Sequence, residues 1–385
     1  MNRNTDKQTP ENGKLFQNNG PWSGKFSARI LGGVSNSAGP ISSVGAIIIG
    51  LLVGLIVLII SNPSKAFEGL GWILGGSLQS SKDLGNVFYF ATPIIMTGLS
   101  VAFAFRTSLF NIGASGQFIM GAFGAVLVGV HGTALGPFQW VVALLAAMVM
   151  GALWAVIPGV LQAYRNVNVV ISCIMTNYIG MYLVNMLVKA TVYDTYTNRS
   201  MGVAPTANIP KLGLDKLFPG SSINGGILIA ILFAVLLYIL LNKTTFGYEL
   251  KACGFNRHAS RYAGINEKKA IVLSMVISGA MAGVGGGLLY LAGSGKYIAV
   301  EDVLAVEGFT GISVALLGMS HPIGTLFAGL FIAYITVGGS YMQLSGFVPE
   351  IIDIITAVII YFAAFALILR TVLKRIQLKK GGDRT

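Results

Sequence analysis

Charge is what this chain of 385 residues has least of: Asp, Glu, Lys and Arg together make up only 10%. Soluble domains carry roughly 25%. A water-facing surface for this much chain needs more charge than 26 basic and 14 acidic residues supply. A soluble globular fold is therefore excluded, and the 54% hydrophobic content indicates a membrane protein. Cysteine is also scarce, with Cys173 in a hydrophobic run and Cys253 in a basic loop, which excludes a disulfide scaffold. The three histidines, His131, His258 and His321, lie far apart without cysteine or carboxylate partners, so no metal site is expected. No phosphate-binding loop is present either. Gly295-Lys296 is followed by Tyr297, and Tyr290 stands where that motif needs its first glycine. The chain has no ATP-hydrolysing machinery of its own, no cofactor site is expected, and no segment is large enough for a soluble catalytic domain.

What is abundant is apolar sequence in runs long enough to cross a hydrocarbon core of roughly 30 Å, which takes about 20 helical residues. Ten such runs occur, at residues 41–60, 87–105, 112–130, 138–161, 169–188, 225–241, 270–292, 303–319, 323–342 and 351–369. They predict an all-α, polytopic membrane helical bundle of about ten transmembrane helices. Residues 1–40 read as a disordered cytoplasmic tail, 41–370 as the transmembrane domain and 371–385 as a basic cytoplasmic tail. The longest loops are 189–224, external, and 242–269, cytosolic. A cleavable signal is the rival for the first run, since Ser64-Lys65-Ala66 has the small-x-small form, but the run exceeds the usual apolar core of such signals. With ten crossings and both termini cytoplasmic, the inner face holds nineteen basic and five acidic residues, the outer face seven and nine. This is the positive-inside pattern. It makes the net charge of +12 an orientation signal, so no nucleic-acid partner is expected; the bilayer is the partner.

Few ionisable groups enter the runs. Only Glu307 and Asp353 do, near the expected outer ends, where an acid suits a helix N-terminus. That argues against a proton relay, because an ionisable group in the membrane is costly and is kept for function. The interior polar residues are neutral: Ser100 in the second run, Asn111 and Gln117 at the start of the third, and Thr176, Asn177 and Tyr178 in the fifth. Amides and hydroxyls there fit the pathway of a neutral, hydroxyl-rich or heterocyclic solute. Their other reading is hydrogen-bonded glue between helices. Gly279, Gly283 and Gly287 repeat every four residues, which predicts a closely packed helix face. Finally, Thr97-Gly-Leu-Ser-Val-Ala-Phe103 matches Thr310-Gly-Ile-Ser-Val-Ala-Leu316, and each is followed by a break and an Ile-Gly pair. This pattern predicts two direction-preserving repeats, an arrangement used by transport folds.

The segment NIGASGQFIMGA (111–122) resembles the hallmark of permease subunits of bacterial ABC importers of the simple-sugar and nucleoside type, a family related to the ribose and branched-chain amino-acid permeases. VVISCIMTNYIG (169–180) is similar to the pattern of the nucleoside branch, and residues 247–287 resemble the family's coupling loop and following helix. Ser115 departs from the pattern, since the family usually has Glu there. The resemblance implies a plasma-membrane transport subunit, not an enzyme, that imports nucleosides or a related neutral solute such as a simple sugar. It implies three protein partners: a cytosolic ATP-binding subunit, a second permease chain, homologous or identical, and an extracytoplasmic solute-binding protein or lipoprotein. The loop 242–269 would then dock the ATPase through Gly254, Asn256, Arg257, Ala259, Arg261, Ala263 and Gly264; a solvated, orientation-setting loop is the plainer alternative. An ion-coupled carrier or channel, or a branched-chain amino-acid permease, remains the alternative function.

Overall fold

The computed structural model describes residues 38–364. Residues 371–385 and all but the last three residues of the tail expected at 1–40 lie outside them; residues 38–40 are the opening turn of α1.

Among the described residues thirteen α-helices of six residues or more organise the fold: α1 (Ala38–Ser61), α2 (Ala66–Gly75), α3 (Ser81–Arg106), α4 (Ala114–His131), α5 (Gln139–Arg165), α6 (Val169–Thr191), α7 (Gly226–Lys243), α8 (Thr245–Phe255), α9 (Arg257–Tyr262), α10 (Glu267–Tyr290), α11 (Val306–Leu317), α12 (Pro322–Ser340) and α13 (Pro349–Ala364). Single helical turns occur elsewhere. Within the described residues each hydrophobic run overlaps a helix, residues 365–369 of the last run lying outside them, but not every helix is a full span. Among the described residues seven are long and apolar enough to cross a bilayer: α3, α4, α5, α6, α7, α10 and α12. The eighth run forms only the twelve residues of α11, which at 1.5 Å per residue reach about 18 Å. Residues 301–305, apolar at Val303 to Ala305, are not helical.

The centre of the bundle is α10, which packs on α3, α4 and α5. Gly279, Gly283 and Gly287 are the seam that the four-residue spacing predicts. A Cβ on Gly287 would stand 2.9 Å from that of Ala147, and one on Gly283 would overlap the Ala147 carbonyl oxygen. The two matching segments also pack on each other. A Cβ on Gly98 would lie 2.8 Å from Val314, and one on Gly311 would lie 2.6 Å from Thr97. Contact positions rise together along α3 and α11, and Arg106 at the end of α3 reaches Ser320 just beyond α11. The two helices run in the same direction.

Two short elements escaped the hydropathy pattern. In the loop 189–224, β1 (Tyr193–Asp194) pairs with β2 (Arg199–Ser200) in an antiparallel hairpin. Helix α2 is clasped to the turn after α12: Ser345 donates to Glu68 at 2.6 Å, and Trp72 donates to Ser345 at 2.9 Å. The Ser345 hydroxyl foremost, then the Trp72 indole and the charge of Lys65, hold the Glu68 carboxyl below the usual carboxylate range.

Candidate transport and coupling sites

Five of the six polar residues singled out from the sequence meet in the interior. The chain leaves α3 at Arg106 and turns back into the bundle, so that Asn111 reaches the level of Ser100 and α4 begins inside the protein. Asn111 Nδ2 donates to Gln117 Oε1 (2.8 Å) and Ser278 Oγ (2.7 Å). Its Oδ1 accepts from the Gly113 N–H (3.0 Å) and from Gln117 Nε2 (3.2 Å). Ser278 Oγ donates to the Ser100 carbonyl at 2.8 Å, and the two serine hydroxyls are 2.9 Å apart. Asn177 Oδ1 accepts from the Gly116 N–H (2.9 Å) while its Nδ2 donates to the Ile112 carbonyl (3.1 Å). Thr176 bonds its own helix at Cys173 and receives the Trp154 indole N–H on its carbonyl. All five are buried. Among the described residues the only buried side-chain atoms without a partner are Asn208 Oδ1 and Thr325 Oγ1. In this conformation the amides fasten α3, α4, α6 and α10 together, with each polar group satisfied inside the protein as a low-dielectric interior requires.

Tyr178 is on the other side of α6. It is 51% exposed where Asn177 is 1%, because successive helical residues point about 100° apart. Tyr178 shares its face with Met175, Tyr182 and Met186, all exposed. The segment leading into α11 runs beside this face: Asn185 Nδ2 donates to the Glu301 carbonyl (2.9 Å) and to Asp302 Oδ1 (3.3 Å). Glu301 and Asp302 are exposed and Glu307 is half-buried. Asn185 lies six residues, about 9 Å, inside the end of α6. Glu307 is deeper still. Its neighbour Gly308 packs on the backbone of Ser115, and Ser115 donates to the Ala305 carbonyl at 2.8 Å. Ser115 in turn adjoins Gly116, which Asn177 holds, fourteen residues or about 21 Å from Thr191. The sequence places Glu307 near the outer end of a full-length crossing; in the structure it opens the twelve-residue α11, beside Ser115 at the start of α4. No periodicity could reveal this, because the apolar run continues through the extended residues before the helix.

The loop 242–269, expected to be cytosolic, is structured throughout. Thr244, Asn256 and Asn266 cap α8, α9 and α10 by accepting from the N–H groups of Gly247, Ala259 and Lys269, as side-chain oxygens at N-caps do. Gly264, at φ 82°, ends α9 in the left-handed conformation that glycine adopts freely. Ala259, Arg261, Ala263 and Gly264 are exposed on α9 and its end, Arg257 is half-buried, and Gly254 is held against Arg106 and Thr107. Three exposed aromatics of this region went unnoticed in the sequence, Tyr248, Phe255 and, at 95% exposure, Tyr262.

The model for the branched-chain amino acid transport system / permease component matches residues 84–364. The chain is 37% identical over 339 residues to the guanosine ABC transporter permease protein NupP of Bacillus subtilis, covering 88% of this chain and 96% of that one. It is 34% identical to the nucleoside ABC transporter permease protein NupB of Lactococcus lactis, over 88% and 94% of the two chains. It is 32% identical to the glucose ABC transporter permease protein TsgB13 of Haloferax volcanii, over 82% and 84%. No solved structure matches. Such permeases are transport components rather than enzymes, and membership implies an ATP-binding subunit and a substrate-binding protein as partners. With its seven bilayer-length helices and this match across most of its length, the chain belongs to the permease-component family of ABC importers and is a multi-pass protein of the bacterial plasma membrane.

Proposed function

We propose that the protein imports nucleosides by alternating access, paired with a second permease chain and driven by ATP hydrolysis on a separate cytosolic subunit. The observation that carries the solute class is the identity to guanosine and nucleoside permeases over most of both chains. The neutral polar interior fits that class. In this reading the pathway follows the outer face of α6 and the segment 299–309, with Tyr178 as a stacking surface. Exposed carboxylates at membrane depth cost about 2.5–3.5 kcal/mol each against lipid, which favours a water-filled path along Glu301, Asp302 and Glu307 over a lipid contact. The carboxylate of Glu307 can accept the N–H groups of a nucleobase. Asn111, Gln117, Ser100, Thr176 and Asn177 then act from behind the path, fixing the helices that form it.

The ten-crossing topology with cytoplasmic termini belongs to the same proposal. The extended residues 299–305 and α11 together make one crossing, so the alternation of loops is preserved. The loop 242–269 docks the ATPase through α9, with Arg257, Ala259, Arg261, Ala263 and Gly264 at the contact and Gly254 and Asn256 at its hinge.

Reconstitution tests the reading. Proteoliposomes holding the permeases, the ATPase and the receptor should accumulate guanosine only with ATP. Uptake by this chain alone under an ion gradient would refute it.

A further inference from the structure

The end of α3 is joined both to the matching repeat and to the cytosolic loop. Beyond Arg106 the backbone passes through Ser108 at φ 55°, and the Leu109 N–H returns to the Ala104 carbonyl at 3.0 Å. Beyond α11 it passes through Met319 at φ 54° and Ser320 at φ 53°, and the Ser320 N–H returns to the Ala315 carbonyl at 2.7 Å. The two repeats end in turns closed by the same hydrogen bond, with one left-handed residue in the first and two in the second, none of them glycine. A non-glycine residue there is disfavoured by roughly 1–2 kcal/mol and persists where its surroundings over-determine it.

The surroundings are specific. Arg106 Nε donates to the Ser320 carbonyl at 2.8 Å, tying one turn to the other. Ser108 Oγ donates to the carbonyl of Gly254, the penultimate residue of α8, at 2.7 Å. A Cβ on Gly254 would stand 3.0 Å from the Arg106 carbonyl oxygen, so the end of α8 rests directly on the turn. The Thr107 hydroxyl meets that of Ser274 on α10, and Asn111, four residues on, anchors the amide cluster.

We propose that residues 106–109 form the transmission element of the permease: Ser108 takes up displacement of α8, and Arg106 passes it through Ser320 to α11 and α12. Arg106 and Ser108 are positioning residues in this scheme. The inference rests on the reading of α9 as the ATPase docking element.

Arg106→Lys keeps the charge, and with it the orientation signal, but lacks the planar Nε–H that reaches Ser320. Ser108→Ala deletes one hydroxyl. In the complete complex both variants should co-purify with the ATPase and retain solute-stimulated hydrolysis. Uptake per ATP should fall about tenfold, within the range of an ordinary coupling free energy. Unchanged uptake per ATP in both variants overturns the proposal, as does a parallel fall of hydrolysis, uptake and thermal midpoint, which marks a purely structural staple. Failure of the unaltered complex to couple ATP to uptake would instead overturn the importer reading itself.

Discussion

Replacing Asn111 with Ala tests whether the buried amides are a lock or a solute contact. The side chain makes four hydrogen bonds to nitrogen and oxygen partners, two to Gln117, one to Ser278 and one from the Gly113 N–H, and accepts a fifth, weaker one from the Cys173 thiol at 3.6 Å. Of the four, only the bond to Ser278 reaches a helix distant in sequence, and such inter-helix bonds in membranes average about 0.6 kcal/mol. The site is fully buried, so the Gly113 N–H and both ends of the Gln117 amide are left without water or protein partners. Each orphaned group costs about 1–3 kcal/mol, which raises the expected loss to about 3–6 kcal/mol after Gln117 reorients. Ser100→Ala is the control. Ser278 keeps its bond to the Ser100 backbone carbonyl, so that change should cost no more than about 1 kcal/mol. Unfolding of the purified permease in a denaturing-detergent titration reads both. An Asn111→Ala protein within about 1 kcal/mol of the parent would refute the lock. Collapse of uptake in such a stable variant would return Asn111 to the pathway.

Gly283→Ala should lower the thermal midpoint in detergent, because its methyl meets the Ala147 carbonyl and overpacking costs about 1–3 kcal/mol; an unchanged midpoint would show that α5 and α10 separate freely. Glu307→Gln should leave folding and ATPase binding intact while reducing guanosine uptake, whereas normal uptake would remove that carboxylate from the path. Tyr262→Ala and Arg261→Glu should weaken co-purification of the ATPase, and retention of full stimulated hydrolysis by both would remove α9 from the interface. Because the folded Glu68 carboxyl titrates below its unfolded value, the clasp on α2 is at full strength above that unfolded value and is lost as pH falls through the depressed one. Fluorescence of Trp72, with Trp22, Trp140 and Trp154 replaced by Phe, should show an acid step that Glu68→Gln abolishes.

The bundle was legible because hydropathy reports burial in lipid or protein, and the seam of α10 because only glycine permits such an approach. What hydropathy does not report is conformation. Val303, Leu304 and Ala305 are as apolar as the helix that follows them, yet they are not helical, so α11 is shorter and deeper than its run. Helix α2 failed the opposite way: ten residues interrupted by Glu68 and three glycines are too short to register as a run. Asn177 and Tyr178 show the same limit at the site. Adjacent in sequence and both polar, they suggest one contact, but the helix turns one inward and the other out.

The loop 242–269 shows where sequence and structure bear on each other most. Six basic residues in residues 242–269 are what the positive-inside rule requires, and charge alone gives no reason for the loop to fold. Yet Thr244, Asn256 and Asn266 each cap a helix, Gly264 stops one, and Ser108 binds the carbonyl of Gly254. Cap residues contribute about 0.5–2 kcal/mol apiece, and a loop whose only task is orientation needs none of them. An exposed Tyr262 beside Ala259 and Ala263 adds apolar surface that a purely solvated loop would lack. These features favour docking over the plainer reading, and in the proposed scheme its mechanical consequence falls on Arg106 and Ser108, residues whose isolated positions in the sequence give no hint that they meet Ser320 and α8.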